Sequence, residues 1–145
     1  MRSSDTEALS GIKVLDLCRV VSGPFATMQL GDLGADVVKI EDPRKGDPLR
    51  DWRVKDVSVN WKVYARNKKS VTLNLRDPQG LALLRRLAAT AHVFIENFRP
   101  GTLEQMGIGP DRGPESAAGR VGPVFFWIGS SAIRAFGGCL GSKRR

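Results

Sequence analysis

A strand–helix–strand pattern near the start of the chain constrains its fold more than any other feature. Residues 11–17 form a run of aliphatic and β-branched side chains, which is typical of a parallel strand buried on both faces. Ser22, Gly23 and Pro24 then favour the start of a helix, because proline in the first turn loses no hydrogen bond. Gly34 is placed to end that helix, and residues 36–41 predict a second strand. Such units close right-handed onto a parallel sheet.

The same alternation continues as far as residue 106. A turn-rich stretch, residues 42–52, predicts a long surface loop, and residues 70–75 alternate as a strand does. Asp77 and Pro78 suit the N-cap and the first position of a helix. Residues 91–96 predict another strand, and residues 102–106 a short helix. This order predicts an α/β fold, a Rossmann-like parallel sheet with flanking helices.

The net charge of +8 does not predict a nucleic-acid-binding fold, because residues 112–145 alone carry six basic residues and one acidic residue. No apolar run reaches the roughly 20 residues of a membrane span, and the first residues lack a signal-peptide core. We therefore expect no membrane and no nucleic-acid partner. A cytoplasmic protein is expected, or a mitochondrial one if the source is a eukaryote.

The common catalytic motifs are absent from the sequence. There is no Gly-x-Gly-x-x-Gly after the first strand, no phosphate-binding Walker loop, no Gly-x-Ser-x-Gly elbow and no metal-type spacing of Cys or His. Cys18 is expected to be a small core residue, and His92 a structural one. What remains are the loops that follow the predicted strands, residues 19–24, 41–47 and 96–101. In open α/β sheets ligands bind at this edge.

Three long segments carry a resemblance to a known family. They are LSGIKVLDLCRVVSGPFATMQLGDLGADVVKIEDPRKGDPLRDW, RNKKSVTLNLRDPQG and VFIENFRPGTLEQMGIG, in this order. Residues 9–111 thereby resemble the N-terminal region of the family III CoA-transferases (the CaiB/BaiF family), most closely the type that acts on succinyl-CoA and dicarboxylic or hydroxy acids. Residues 1–8 form an N-terminal extension to that region.

The resemblance implies a reaction as well as a fold. Coenzyme A would pass from an acyl-CoA to a carboxylic acid, with no metal, through an aspartyl-CoA thioester on the enzyme. It also implies an interlocked homodimer. A fragment of the family would leave open the surface that this dimer buries, which argues against dimer formation by the fragment.

Contacts with CoA are carried over by position, and the resemblance assigns seven of them: Val20, Val21, Ser22, Leu73, Asn97, Phe98 and Met106. Two basic positions of some relatives fall on Asp42 and Gln105, and Arg44 or Lys45 could supply the missing charge. We expect Lys68 and Lys69 to lie on a solvated face.

No residue is assigned as the catalytic nucleophile. The family's aspartate lies beyond the matched region, and it does not correspond to any of Asp16, Asp32, Asp36, Asp42 or Asp47. Residues 112–145 form an atypical Gly- and Arg-rich tail, expected to be disordered or translated in a shifted frame. The resulting hypothesis is a truncated and inactive CoA-transferase. The alternatives are an acyl-CoA racemase of the same superfamily, or a small basic binding protein whose tail contacts nucleic acid.

Overall fold

The computed structural model describes residues 7–108 with their side chains and, beyond them, only the pairing of two strands. The elements are β1 Lys13–Asp16, α1 Ser22–Asp32, β2 Asp36–Glu41, a 3-10 turn Pro48–Arg50, α2 Val59–Tyr64, β3 Lys68–Thr72, α3 Pro78–Ala88, β4 Val93–Glu96, α4 Thr102–Gln105, β5 Val124–Ile128 and β6 Ile133–Phe136. None of the described helices has the length and apolar character that crossing a membrane requires.

These strands form one sheet in the order β3-β2-β1-β4-β5-β6. The first five strands are parallel to their neighbours, and β6 pairs antiparallel with β5. The prediction of an α/β fold with a Rossmann-like parallel sheet is confirmed. Because β2 and β4 lie on opposite sides of β1, the direction of winding reverses there. This reversal opens a crevice at the carboxyl ends of the strands.

Apolar side chains cover both faces of the sheet, as expected for buried parallel strands. One cluster contains Leu15, Leu17, Leu84 and Phe94, which packs α3 against the sheet. The other contains Val14, Cys18, Val37 and Ile95 on the opposite face. The alternation of side chains along each strand separates the two clusters.

The predicted starts of α1 and α3 are confirmed. Helix α1 begins at Ser22, and a Cβ atom on Gly23 would lie 2.2 Å from the Cβ atom of Cys18, so only glycine allows this close approach. Helix α3 begins at Pro78, and the Asp77 carboxylate accepts a hydrogen bond from the Gln79 backbone N–H at 2.9 Å. Gly34, at φ +98°, follows the end of α1 as predicted.

The segment between β2 and β3 is more structured than the surface loop predicted over residues 42–52. It contains the 3-10 turn Pro48–Arg50 and the helix α2, which no apolar period had indicated. Strand β3 begins at Lys68, two residues earlier than predicted, because its pairing with β2 starts at Val37 and Lys68. Apart from β5 and β6, the predicted tail lies outside the described residues.

Candidate functional site

A cavity of about 390 Å³ lies at the carboxyl edge of the parallel strands. Its apolar lining comes from Leu17, Ile40, Leu73, Leu75, Phe98 and Met106, and its charged lining from Arg19, Glu41, Asp42, Arg44, Lys45 and Arg76. The ends of strands β1 to β4 and the loops that follow them therefore all contribute side chains to this cavity. A ligand with an apolar ring and several negative charges fits this lining.

Three of the seven predicted contact residues line this cavity: Leu73, Phe98 and Met106. Asn97 lies beside it and contacts the loop after β1 rather than the cavity. Val20, Val21 and Ser22 belong to that same loop and to the start of α1, and they are not part of the lining.

Asn97 holds the backbone of Arg19 in place from 78 residues away. Its side-chain oxygen accepts from Arg19 N–H, and its side-chain nitrogen donates to Arg19 C=O, both at 2.8 Å. The Arg19 guanidinium then lies 5.1 Å from the centre of the Phe98 ring, within the range of a cation–π contact. Asn97 therefore joins the loop after β1 to the loop after β4.

Asp42 organises the basic turn after β2. Its carboxylate accepts from the backbone N–H groups of Arg44 at 2.8 Å and Lys45 at 3.2 Å, and these bonds hold the pKa of Asp42 below its ordinary value. The turn brings the exposed Arg44 and Lys45 to the cavity. The position that is basic in some relatives is thus filled by an acid that positions two neighbouring bases.

Arg19 and Arg76 are cavity residues that the prediction of individual contacts missed. A sequence signal existed for both, since each follows a predicted strand within a few residues, where ligand-binding side chains concentrate. The seven positions carried over from the family do not include these two arginines.

Lys68 is not solvated, so this prediction was wrong. Its side chain is 1% exposed, and its ammonium lies 3.1 Å from Asp16 Oδ2 and 2.6 Å from the Thr27 hydroxyl. Burial lowers the pKa of Lys68, and the charge of Asp16 opposes this shift. Lys69 points the other way and is 71% exposed, as predicted.

Glu41, at the end of β2, is held by a second polar cluster. Its carboxylate accepts two hydrogen bonds from Arg50, at 2.8 and 2.9 Å, and one from the Ser70 hydroxyl. Burial alone would raise the pKa of Glu41, but the bonds from Arg50 and Ser70 outweigh it and the pKa is lowered. Arg50 also stacks 3.8 Å from the centre of the Trp61 ring, which attaches α2 to the site.

Cys18 and His92 have structural surroundings. Cys18 is fully buried, and burial raises the pKa of its thiol well above the ordinary value. His92 Nδ1 accepts a hydrogen bond from the Lys13 backbone N–H at 2.9 Å. Within residues 7–108, no group of three His, Cys, Asp or Glu side chains is arranged to hold a metal ion.

Comparisons with known proteins agree with this geometry. Residues 9–117 match the model of CoA-transferase family III. The chain is 41% identical over 143 residues to the human succinyl-CoA:glutarate CoA-transferase, an alignment that covers 90% of this chain and 33% of that protein. It is 49% identical over 104 residues to the succinyl-CoA–D-citramalate CoA-transferase of Chloroflexus aurantiacus, covering 70% of this chain and 26% of that protein.

Solved structures show the same fold. A hypothetical protein from Mycobacterium tuberculosis superposes with a TM-score of 0.77 at 36% identity, covering 85% of this chain and 34% of that one. A CaiB/BaiF family protein from Brucella suis gives a TM-score of 0.70 at 34% identity, covering 82% of this chain and 32% of that one. The chain spans a quarter to a third of the length of the curated relatives described above. On the family match and these likenesses together, the chain belongs to CoA-transferase family III.

Proposed function

We propose that this chain carries the coenzyme-A-binding edge of an enzyme that moves CoA from an acyl-CoA, succinyl-CoA in particular, to a second carboxylic acid. The observation that carries the proposal is the cavity at the carboxyl edge of the sheet, in a chain of this family. The names of the two relatives support the class of donor and acceptor, since both transfer CoA from succinyl-CoA to an acid.

The lining of the cavity suits the nucleotide end of CoA. Arg19, Arg44, Lys45 and Arg76 surround it, whereas the carboxylate of Glu41 is already paired with Arg50. Coenzyme A carries three phosphate groups, and side chains with a fixed positive charge bind phosphate through charge-assisted hydrogen bonds. Leu73, Phe98 and Met106 provide the apolar surface that an adenine ring requires.

The transfer itself would use a carboxylate nucleophile. An aspartate oxygen attacks the thioester carbonyl of the acyl-CoA, the C–S bond breaks, and a mixed anhydride and the CoA thiolate form. The thiolate then attacks the aspartyl carbonyl of the anhydride, which gives an aspartyl-CoA thioester and releases the donor acid. The acceptor acid repeats these two steps in reverse, so no oxidant or reductant is consumed.

The five aspartates compared with the family's nucleophile all have other partners here. Asp16 is buried against Lys68, Asp47 is buried against Lys39, Asp32 pairs with Arg66, Asp36 pairs with Lys69, and Asp42 caps its own turn. These contacts support the assignment of the nucleophile to a residue other than these five. We accordingly expect no turnover from the 145-residue chain alone.

The binding proposal is tested by calorimetric titration of CoA into the purified chain. The double variant Arg44→Gln/Lys45→Gln and the variant Arg76→Gln should each weaken CoA binding about tenfold, because one charge-assisted hydrogen bond is worth roughly 1.5 kcal/mol. Arg86→Gln, an exposed arginine outside the cavity lining, is the matched control and should leave the dissociation constant unchanged.

Two results would overturn the proposal. One is the absence of any heat of binding, and of any CoA-dependent rise in melting temperature, up to about 1 mM CoA, the upper end of the usual range of KM values for substrates. The other is an equal effect of the cavity variants and of Arg86→Gln, which would mean non-specific charge attraction. Transfer of CoA from succinyl-CoA to glutarate by the chain alone would contradict the expected lack of turnover and leave the binding assignment standing.

A further inference from the structure

A lysine lies buried in the middle of β2, where a parallel strand normally carries an apolar side chain. The Lys39 side chain is 2% exposed, and its ammonium lies 2.6 Å from the Cys18 carbonyl oxygen and 2.9 Å from Asp47 Oδ2. Removing a charge from water is costly, so a buried lysine is retained only with partners of this kind. An apolar side chain at this position would also pack in the sheet, so packing alone does not explain the buried ion pair.

Asp47 connects this lysine to three separate segments. Its Oδ1 atom accepts from Leu49 N–H at 2.9 Å and from Val20 N–H at 3.4 Å, and its own N–H donates to Glu41 Oε2 at 3.0 Å. The Oδ2 atom has no aligned hydrogen bond among the described residues and meets Lys39 as an ion pair. One carboxylate thus joins β2, the loop after β2 and the loop after β1.

The loop after β1 is strained at the point where Asp47 holds it. Val20 adopts φ +68°, a left-handed conformation that is costly for a β-branched residue. Such a conformation persists only where the surroundings determine it. Here Asp47 accepts the Val20 N–H, and Asn97 binds both backbone groups of the preceding Arg19.

Both loops joined by Asp47 line the cavity, through Arg19 on one side and Asp42, Arg44, Lys45 and Gly46 on the other. Lys39 and Asp47 themselves are not part of the lining. We propose that Asp47, held in place by Lys39, is a positioning residue: by accepting the Val20 N–H it sets the distance between these two loops and so determines the affinity for CoA without touching it. This inference rests on the proposed function of the cavity.

Two double variants distinguish the effect of the charges of Lys39 and Asp47 from the effect of the oxygen that accepts the Val20 N–H. In Lys39→Met/Asp47→Asn both charges are removed while an amide oxygen remains to accept the Val20 and Leu49 N–H groups. In Lys39→Met/Asp47→Leu the charges and the acceptor are both absent. We expect the CoA affinity of the first variant to lie within about threefold of wild type. The affinity of the second variant should be at least about tenfold weaker, because loss of the Val20 N–H hydrogen bond removes roughly 1.4 kcal/mol.

A second buried ion pair on the same face of the sheet provides the matched control. Asp16 and Lys68 are equally buried, and Lys68 contacts α1 through the Pro24 carbonyl and the Thr27 hydroxyl. Asp16 Oδ1 also accepts from the Cys18 N–H at 2.9 Å, and the Asp16→Asn change keeps an amide oxygen for this bond. Asp16→Asn/Lys68→Met should lower the melting temperature about as much as the changes at Lys39 and Asp47 and change CoA affinity less than about threefold.

Thermal unfolding of every variant is measured beside the CoA titration, so that only folded protein is compared. Equal CoA affinity of the folded Lys39→Met/Asp47→Leu variant and wild type would overturn the positioning role. An equal loss of affinity in the Asp16/Lys68 control would also overturn it, since the effect would then be one of general stability. Failure of the wild-type chain to bind CoA would count against the proposed function of the cavity instead.

Discussion

At the scale of single residues, burial of an ionisable group changes its pKa and so makes the stability of the fold depend on pH. Glu96 ends β4 and is 9% exposed, and its carboxylate accepts from the Phe98 N–H at 2.6 Å. Burial raises the pKa of Glu96 to about 7, the Phe98 N–H opposes the shift, and the charge of Glu104 adds to it. The folded state therefore binds a proton at Glu96 more tightly than the unfolded chain does.

This raised pKa predicts that stability falls as the pH rises. The contribution of Glu96 is fully present below its ordinary value of 4.5 and is lost as the pH passes through about 7. Glu96→Gln keeps the acceptor for Phe98 N–H and cannot ionise. Relative to wild type, the variant should gain about 1–3 kcal/mol of unfolding free energy between pH 4.5 and 8.

Urea unfolding at a series of pH values measures this difference. Glu104→Gln is the control, since removing its charge should reduce the pH-dependent loss in the wild-type background without abolishing it. A gain for Glu96→Gln that is the same at pH 4.5 and at pH 8 would show that Glu96 does not titrate in this range.

At the scale of elements, the segment between β2 and β3 departs furthest from the sequence pattern. Val54 and Val57 exchange backbone hydrogen bonds of 2.9 and 3.0 Å around a two-residue turn. The two turn residues, Lys55 and Asp56, both have positive φ, at 49° and 62°. Asparagine followed by glycine is the usual sequence of this turn type, so the sequence Lys55–Asp56 did not predict it.

This turn should therefore be open to stabilisation. Lys55→Asn/Asp56→Gly replaces two residues that are strained at positive φ by the pair that tolerates it best. We expect the free energy of unfolding to rise by about 1 kcal/mol, measured by urea unfolding. Lys55→Ala/Asp56→Ala removes the same charges and should give no gain. An equal gain in both variants would assign the effect to charge rather than to backbone conformation.

At the scale of the whole molecule, five of the exposed large apolar side chains belong to one segment of the chain. Trp52, Val54, Val57, Val59 and Val63 are each between 41% and 62% exposed, and all lie in the segment between β2 and β3. Exposed apolar side chains promote association when they lie close together.

We predict that the purified chain self-associates through the exposed apolar side chains of this segment. Val54→Thr/Val59→Thr/Val63→Thr keeps the shape of the side chains and adds a hydroxyl to each, which should lower the sedimentation coefficient measured at high protein concentration. Leu83→Gln changes an equally exposed apolar side chain on α3 and should have little effect. Self-association that is insensitive to the triple change would place the contact elsewhere.

Local patterns in the sequence were sufficient to predict the order of β1 to β4 with α1, α3 and α4, the start of α1 and the Asp77 cap. Each of these depends on residues within one turn of one another, whose backbone preferences act before any tertiary contact forms. The same patterns indicated that a ligand site would lie at the carboxyl edge of the sheet, since parallel strands bring all their following loops to one side. The seven residues carried over from the family remain a prediction.

Only the tertiary structure decided which charged residues are buried and which reach the cavity. Lys68 and Asp16 are 52 positions apart, and Lys39 meets Asp47 only because the loop after β2 folds back over the sheet. The sequence does not distinguish the neighbouring residues Lys68 and Lys69. Their side chains lie on opposite faces of β3, because successive side chains of a strand point in opposite directions. Burial of a charge depends on a partner that only the folded chain supplies.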